Sequence, residues 1–325
     1  MGVPVVEEKQ DVNVTRVWVH ERFPEEFARL MERLPPWVRV EVEAHRDSLD
    51  EIVLDLGKPL IYTAADQVYI LESRTVNKDD LSYLTHRLGG FKENNRAGLE
   101  GTLHRVSRIQ DAYGETVGVT IRIGRFVMGV AEPLRPWLEQ SGSMLVVGPP
   151  RTGKTTLLRD IVRILAGRYG PRVAVVDTSN EIGGDGKLTH PGISPARRLQ
   201  VPDPPSKNQG WVIYQAIANH SPEVVVADEI GYNEDVFQCL TASRRGVRVV
   251  ATAHGETILD LLENPVLLPI LGDPNEGRRR SRPSFAMCLE VRGKGKFVLY
   301  PDFAEALDTL LSGGEPEGLQ LGRWD

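Results

Sequence analysis

The 325-residue sequence contains only two cysteines, Cys239 and Cys288, and they lie in different predicted elements. Two distant cysteines do not make a disulfide framework, so we expect a core-stabilised protein in a reducing compartment. No apolar run is long enough to span a bilayer, and the acidic N-terminus has neither a signal-type apolar segment nor a basic transit pattern. We therefore expect a cytoplasmic protein without a transmembrane segment.

A large excess of charge of one sign is also absent. The sequence has 39 lysines and arginines and 45 aspartates and glutamates, which gives a formal net charge of −6. This balance excludes a global attraction to nucleic acid or to an anionic membrane, so any such surface must be local. The composition is that of an ordinary globular protein, and the length is sufficient for two domains with sizeable cores.

One short segment, Gly148 to Thr155, has the pattern Gly-x-x-x-x-Gly-Lys-Thr. It follows a short apolar strand and precedes a helix with one apolar face, which is the context of a phosphate-binding loop. The glycines allow backbone N–H groups to converge on an anion at a helix N-terminus. Lys154 is expected to reach the β- and γ-phosphates of ATP, and Thr155 to hold Mg²⁺. The predicted nucleotide-binding residues are Gly148, Pro149, Pro150, Arg151, Thr152, Gly153, Lys154, Thr155 and Thr156.

A second apolar strand, in the segment 223–229, ends in Asp228 and Glu229. This pair follows the phosphate loop in the chain, and another strand lies between the two. In that position it predicts a Mg²⁺ ligand and a residue that orients or deprotonates an attacking water. The following strand, Val247 to Thr252, is expected between the phosphate-loop strand and the Asp228 strand, as in RecA-like ATPases. His254 then lies near the γ-phosphate, at the carboxyl edge where open α/β sheets bind ligands.

Glu181 follows a third buried strand, Arg172 to Asp177, and lies on the same predicted edge of the sheet. It is a second candidate for orienting water, although a loop acid or a helix cap explains it equally well.

The predicted fold class is α/β, with a RecA-like P-loop core of mostly parallel strands covered by helices on both faces. A smaller α+β domain with an arginine-rich hairpin, residues 1–138, precedes the ATPase domain, residues 139–302. Residues 303–325 are predicted to form a C-terminal helix and a linker-like tail. In the first domain we expect one helix over Pro24–Leu34 and one strand over Leu49–Leu60.

Clustered arginines are the remaining signal. Those of the predicted hairpin, Arg105 and Arg122, form either a solvated basic face or a cationic edge directed at a neighbour's phosphate. Two further groups are either mobile solvated charge or contacts to nucleic acid. Their members are Arg197, Arg198, Arg278, Arg279, Arg280 and Arg282.

The chain resembles the stage III sporulation protein AA ATPases, and more strongly their cyanobacterial and chloroplast relatives, over about residues 35 to 305. The resemblance is carried by the segments NNRAGLEGTLHRVSRI, GVTIRIGR, GPPRTGKTT, VVDTSNEIGG, ARRLQVPDPP, SPEVVVADEIG and VVATAHG. It extends distantly to secretion and pilus ATPases, which are hexameric rings with an N-terminal domain beside each nucleotide site. The resemblance implies that Arg105 and Arg122 match the arginines which those enzymes present to bound nucleotide. It also implies that DTSNEIGG and ATAHG match their acidic and histidine boxes.

Two departures from these families bear on function. Secretion ATPases commonly carry a catalytic glutamate where this chain has Val176, so the expected base moves to Glu229, with Glu181 second. Many photosynthetic relatives end in a small module for single-stranded nucleic acid, whereas this sequence ends at Asp325. Either the protein lacks the module or the chain has been cut before it.

The sequence therefore predicts Mg²⁺-dependent ATP hydrolysis by a ring-forming motor, a homo-oligomer expected to be a hexamer, which acts on single-stranded DNA or RNA. The alternatives are an assembly or secretion motor that acts on a protein partner at a membrane, and a nucleotide-dependent scaffold with negligible turnover. The candidate catalytic residues are Glu229, Lys154, Glu181, His254, Arg105 and Arg122, and the candidate metal ligands are Thr155 and Asp228.

Overall fold

The computed structural model describes residues 17–140, 142–202, 208–275 and 277–322. Its N-terminal part contains β1 (Trp18–Val19), α1 (Phe23–Met31), α2 (Pro36–Glu43), β2 (Leu49–Asp55), β3 (Pro59–Ala64), β4 (Gln67–Thr75), α3 (Lys78–Thr85), β5 (Arg96–Gly98), β6 (Arg105–Gln110), β7 (Thr116–Arg122) and β8 (Val127–Met128). Six of these strands form an antiparallel sheet in the order β4-β3-β2-β7-β6-β5, and β1 pairs with β8. The predicted hairpin is confirmed, since β6 and β7 are adjacent and antiparallel.

The first predicted helix is wrong in its extent. The chain forms α1 over Phe23–Met31 and then starts a separate helix, α2, at Pro36. Proline at the first helical position lacks only an N–H group that has no partner within the helix, and its fixed φ suits the first turn. The two prolines that were expected to end a helix therefore begin the next one.

The single strand expected over Leu49–Leu60 is also wrong, because the segment forms β2, a turn and the start of the antiparallel β3. Gly57, in the turn, has φ +76°, a conformation that glycine adopts without steric cost. Apolar residues alternate in both β2 and β3, so the sequence pattern alone does not indicate the turn between them.

The second part of the chain contains α4 (Arg135–Leu138), β9 (Met144–Val147), α5 (Lys154–Tyr169), β10 (Val173–Asp177), β11 (Arg197–Gln200), α6 (Gln209–His220), β12 (Val224–Ala227), α7 (Asn233–Arg244), β13 (Arg248–Thr252), α8 (Ile258–Glu263), β14 (Pro274–Asn275), β15 (Arg278–Arg279), β16 (Met287–Gly293), β17 (Lys296–Tyr300), α9 (Phe303–Leu311) and β18 (Leu319–Leu321). Short 3-10 turns lie at Glu132–Leu134, Gly170–Arg172, Pro191–Ile193 and Leu268–Leu271.

An eight-stranded sheet, in the order β11-β10-β12-β13-β9-β16-β17-β18, organises this part. The strands from β11 to β16 are parallel, and β17 and β18 add an antiparallel edge. Separate apolar clusters cover the two faces, one with α6 to α9 and the other with α4 and α5. The predicted α/β class is therefore confirmed, and β13 lies between the phosphate-loop strand β9 and the Asp228 strand β12 as expected.

The predicted C-terminal helix is present as α9, and part of the segment expected to be a linker-like tail forms β18. Phe303 and Leu307 of α9 are buried against one face of the large sheet, and β18 pairs with β17. An edge strand such as β17 presents unpaired N–H and C=O groups, and a returning segment can satisfy them. Among the described residues, no helix combines the length and the apolarity needed to cross a membrane.

Candidate nucleotide-binding site

The phosphate loop has backbone angles that depend on its glycines. Gly148 leaves β9 with φ +152°, and a Cβ there would lie 2.5 Å from the carbonyl oxygen of Val291. Gly153, at the start of α5, has φ +94°. The Thr152 hydroxyl donates to the Pro149 carbonyl oxygen over 2.8 Å and tightens the turn. No side chain caps α5, so its first N–H groups are available to an anion.

Lys154 directs its ammonium group into this loop. Its Nζ donates to the carbonyl oxygens of Gly148, over 2.5 Å, and Pro149, over 2.9 Å. Burial lowers the pKa of Lys154, while Asp228 and Glu229 favour its charged form. A phosphate in the loop would supply the counter-charge that the carbonyl dipoles provide only in part, so the residues fit a polyphosphate.

The two candidate metal ligands lie together. Thr155 Oγ1 is 3.5 Å from Asp228 Oδ2, and Thr252 Oγ1 donates to Asp228 Oδ1 over 2.5 Å. Asp228 is only 7% exposed, and burial raises the pKa of its carboxyl group. A hydroxyl and a carboxylate oxygen at the mouth of a phosphate loop are the oxygen ligands that Mg²⁺ prefers. The donor set therefore fits the expected cation.

Glu229 and His254 lie at the same edge of the sheet and are mostly exposed. The Glu229 N–H donates to Thr252 Oγ1 over 2.7 Å, and the residue has a left-handed conformation with φ +48°. Its carboxylate lies 4.0 Å from His254 Nε2. The Gly148 N–H donates to the Gly255 carbonyl oxygen over 2.8 Å, which joins the histidine turn to the phosphate loop.

Glu181 lies on a tightly folded loop after β10. The buried Asp177 carboxylate accepts from the N–H groups of Ile182, over 3.2 Å, and Gly183, over 2.7 Å, which closes the loop on its own strand. The Glu181 carboxylate forms an ion pair with Arg105 of the same chain. Glu181 therefore joins the acidic segment to the arginine hairpin, whereas Glu229 remains open to solvent.

The two hairpin arginines occupy different surroundings. Arg105 and Arg122 are directly opposite each other on β6 and β7. Arg105 is half-buried, and burial lowers its pKa although Glu181 opposes the shift. Arg122 is 58% exposed and donates to Glu51 Oε2 over 3.1 Å.

A cleft of about 350 Å³ lies between the hairpin and the loop that follows β10, residues 178–186, which we call the acidic loop. The cationic side chains that line it are Lys92, Arg96, Arg105, Arg122 and Arg159. Sequence analysis did not single out Arg159. Arg159 lies four residues after Thr155 on α5, so the two residues share a helix face. A charged residue beside the apolar face of α5 was the only feature of the sequence that could have indicated it.

The structure contradicts two of the proposed nucleic-acid contacts. Arg198, beside the acidic loop, donates to the carbonyl oxygens of Gly183, over 3.3 Å, and Gly186, over 2.6 Å, and thereby braces that loop. Arg279 forms a two-bond pair with Asp308 of α9, over 2.8 and 2.6 Å. Both guanidinium groups are engaged within the chain. The remaining arginines of the two groups, Arg197, Arg278, Arg280 and Arg282, are exposed.

Comparison with known sequences gives one consistent family. The profile of the family described as "Sporulation stage III, protein AA" matches residues 37–278. A Porphyra purpurea protein, "Uncharacterized protein ycf45", is 36% identical over 90% of this chain and 55% of its own length. The Arabidopsis thaliana "Protein SEEDLING PLASTID DEVELOPMENT 1" is 36% identical over 89% of this chain and 45% of its own length. The chain thus spans about half the length of these two relatives. The Bacillus subtilis "Stage III sporulation protein AA" is 31% identical over 77% of this chain and 85% of its own length.

Solved structures share the fold at low sequence identity. The pilus retraction motor PilT with bound ADP gives a TM-score of 0.59 at 15% identity, covering 84% of this chain and 85% of that one. The Legionella pneumophila ATPase DotB gives 0.57 at 15% identity, covering 87% and 85%. The fold is accordingly that of the RecA-like P-loop ATPases.

Proposed function

This chain belongs to the sporulation stage III protein AA family, and from its fold and the geometry of its phosphate loop we propose that it hydrolyses ATP as a motor ATPase. The observation that carries the proposal is the convergence of Lys154, Thr155 and Asp228 at the mouth of the loop. Catalysis of this reaction consists largely of positioning and charge stabilisation, which such a convergence supplies.

Each residue at the site has a separate proposed role. Lys154 and the loop N–H groups bind the phosphates, and Thr155 and Asp228 hold Mg²⁺. When bound, Mg²⁺ neutralises charge on the phosphate oxygens. Glu229 is the favoured base because its carboxylate is open to solvent beside His254, and His254 is the proposed sensor of the γ-phosphate. Glu181 remains the second candidate, since its carboxylate is already paired with Arg105.

We further propose a homo-oligomeric ring, expected to be a hexamer, whose nucleotide sites are shared between subunits. The exposure of Arg122 supports this proposal, because a side chain that is 58% exposed can reach a neighbour once its pair with Glu51 opens. Arg105 is held by Glu181 of its own chain, so its action in a neighbour's site requires that this pair opens. An arginine supplied in trans contributes on the order of 10³ to 10⁵ in rate.

Mixing two inactive variants tests the shared site. Arg122→Ala is expected to bind ATP but to lose nearly all turnover, and Lys154→Ala to lose both. A mixed ring should recover turnover, because an Arg122→Ala subunit keeps its own phosphate loop and borrows an arginine from a Lys154→Ala neighbour. Light scattering measures the assembly in parallel. Full activity of Arg122→Ala, or a monomer with a concentration-independent specific rate, contradicts the shared site.

For the substrate of the motor we propose single-stranded nucleic acid, supported by the four exposed arginines at 197, 278, 280 and 282. Phosphate contacts release counterions, so binding should weaken steeply as salt rises. The alternative, a protein partner at a membrane, is favoured by the fold shared with PilT and DotB.

ATPase rates with and without single-stranded DNA, RNA and duplex distinguish the candidate functions. Stimulation and salt-sensitive binding by a single strand support the nucleic-acid motor, and their absence favours a protein partner. Binding of ATP without steady turnover identifies the third candidate, a nucleotide-dependent scaffold.

A further inference from the structure

Arg159 connects three parts of the molecule around the nucleotide site. It lies on α5, on the same face as Thr155, and lines the cleft beside the arginine hairpin. Its Nε donates to the main-chain carbonyl oxygen of Glu181 over 2.6 Å. Its Nη1 donates to the main-chain carbonyl oxygen of Arg125 over 3.2 Å, in the segment that leaves β7.

These bonds go to main-chain oxygens although three carboxylates are close. Asp177, Glu181 and Asp228 all favour the charged form of the guanidinium, against burial, which lowers its pKa. A planar guanidinium can hold two acceptors in fixed directions, whereas a lysine ammonium is a flexible point charge. Arg159 therefore binds the backbone at two points, as a clamp, and the three carboxylates favour its charged form.

The clamp completes the fixation of the acidic loop. Asp177 accepts from the N–H groups of Ile182 and Gly183, and Arg159 donates to the Glu181 carbonyl, so the two side chains hold opposite sides of the peptide group between Glu181 and Ile182. The Glu181 carboxylate is left to pair with Arg105 of the hairpin.

We propose that Arg159 is a positioning residue, which holds the acidic loop so that Glu181, paired with Arg105, stays within electrostatic reach of Asp228. The inference rests on the proposed ATPase activity for its functional consequence, but the loop placement itself does not depend on turnover. Removal of the clamp leaves two partly buried carbonyl oxygens without their donor, so the loop should open.

Two substitutions at this position test the clamp. Arg159→Met keeps an unbranched stem and removes all donors, and Arg159→Lys keeps the charge but loses the planar fork. Arg163 is the matched control, because it lies one turn later on α5 and pairs with Asp160 and Glu132, away from the acidic loop. Arg163→Met therefore removes a similar side chain and its ion pairs without touching Glu181.

The first readout is amide hydrogen exchange over residues 178–183, measured without nucleotide. We expect exchange at Ile182 and Gly183 to become at least tenfold faster in Arg159→Met and unchanged in Arg163→Met. Unchanged protection in Arg159→Met overturns the inference, whatever the enzyme assays show. This measurement separates failure of the inference from failure of the ATPase proposal, which is judged by wild-type turnover alone.

The second readout is the division of the effect between turnover and binding. We expect kcat to fall at least tenfold in Arg159→Met while the Kd for ATP stays within threefold, and Arg159→Lys to recover part of the loss. In a Glu181→Gln background, Arg159→Met should lower kcat by less than a further twofold, because both changes disable the same loop. Equal losses in Arg159→Met and Arg163→Met, or full additivity with Glu181→Gln, contradict the positioning role.

Discussion

The buried His104 gives a prediction whose magnitude follows from the shift of its pKa. His104 lies just before β6, is 1% exposed, and its Nδ1 accepts from the Gly124 N–H over 3.2 Å. Burial lowers the pKa of His104 from 6.5 to about 4, with nearby Glu26 opposing the shift and Arg125 and Arg29 adding to it. The folded protein therefore keeps this imidazole neutral well into the acid range.

The sign of the effect follows from proton binding. Well above pH 6.5, His104 is neutral in both the folded and the unfolded chain, so its protonation does not lower the free energy of unfolding. Between pH 6.5 and about 4 only the unfolded chain binds the proton, so stability falls as the pH falls, and the loss is complete below about pH 4. A difference of one pKa unit corresponds to about 1.4 kcal/mol, so this group alone should cost about 2 kcal/mol between pH 7.5 and pH 5.

Urea unfolding of wild type and His104→Asn at these two pH values measures the loss. The asparagine Oδ1 can replace Nδ1 as the acceptor for the Gly124 N–H, but it does not titrate. We expect the free energy of unfolding to fall by about 2 kcal/mol less in His104→Asn than in wild type. His86 is exposed, so His86→Asn is the control and should behave as wild type does. Identical pH dependence in wild type and His104→Asn refutes the reasoning.

Two further predictions concern the site. Gly148→Ala should destabilise the protein by about 1–3 kcal/mol, because φ is +152° and the new Cβ meets the Val291 carbonyl oxygen. Gly167→Ala, in the interior of α5 with nothing within 4 Å, should instead stabilise it by about 0.5–1 kcal/mol in the same thermal unfolding assay. Glu229→Gln should bind ATP normally and hydrolyse it at least a hundredfold more slowly, about the contribution of a general base. Normal turnover in Glu229→Gln with loss in Glu181→Gln assigns the base to the other carboxylate.

The phosphate loop could be predicted from sequence because its geometry is local. Gly148, Gly153, Lys154 and Thr155 are close in the chain, and each residue type answers a requirement of one short turn. The strand order was predictable for a different reason, since the Asp228–Glu229 pair and the strand between it and the phosphate loop match RecA-like ATPases, whose strand order was carried over. The observed position of β13, between β9 and β12, agrees with that expectation.

The features that sequence analysis missed depend on contacts between distant segments. Arg198 looks like surface charge in the sequence, but its bonds go to carbonyl oxygens of a loop that curls back over β11. Nothing local in the short β18 specifies that β17 will leave an edge for it. Arg159 was overlooked because a single charge on a helix carries no information about the carbonyl groups that another loop brings to it.

The central claim is that Lys154 and its loop bind and hydrolyse ATP, and the most direct test compares wild type with Lys154→Ala. We predict steady Mg²⁺-dependent phosphate release by wild type and none by the variant. At ATP a hundredfold above Kd, wild type should also gain about 2.7 kcal/mol of stability, and the variant almost none. Equal stabilisation and equal phosphate release in the two proteins would contradict the account.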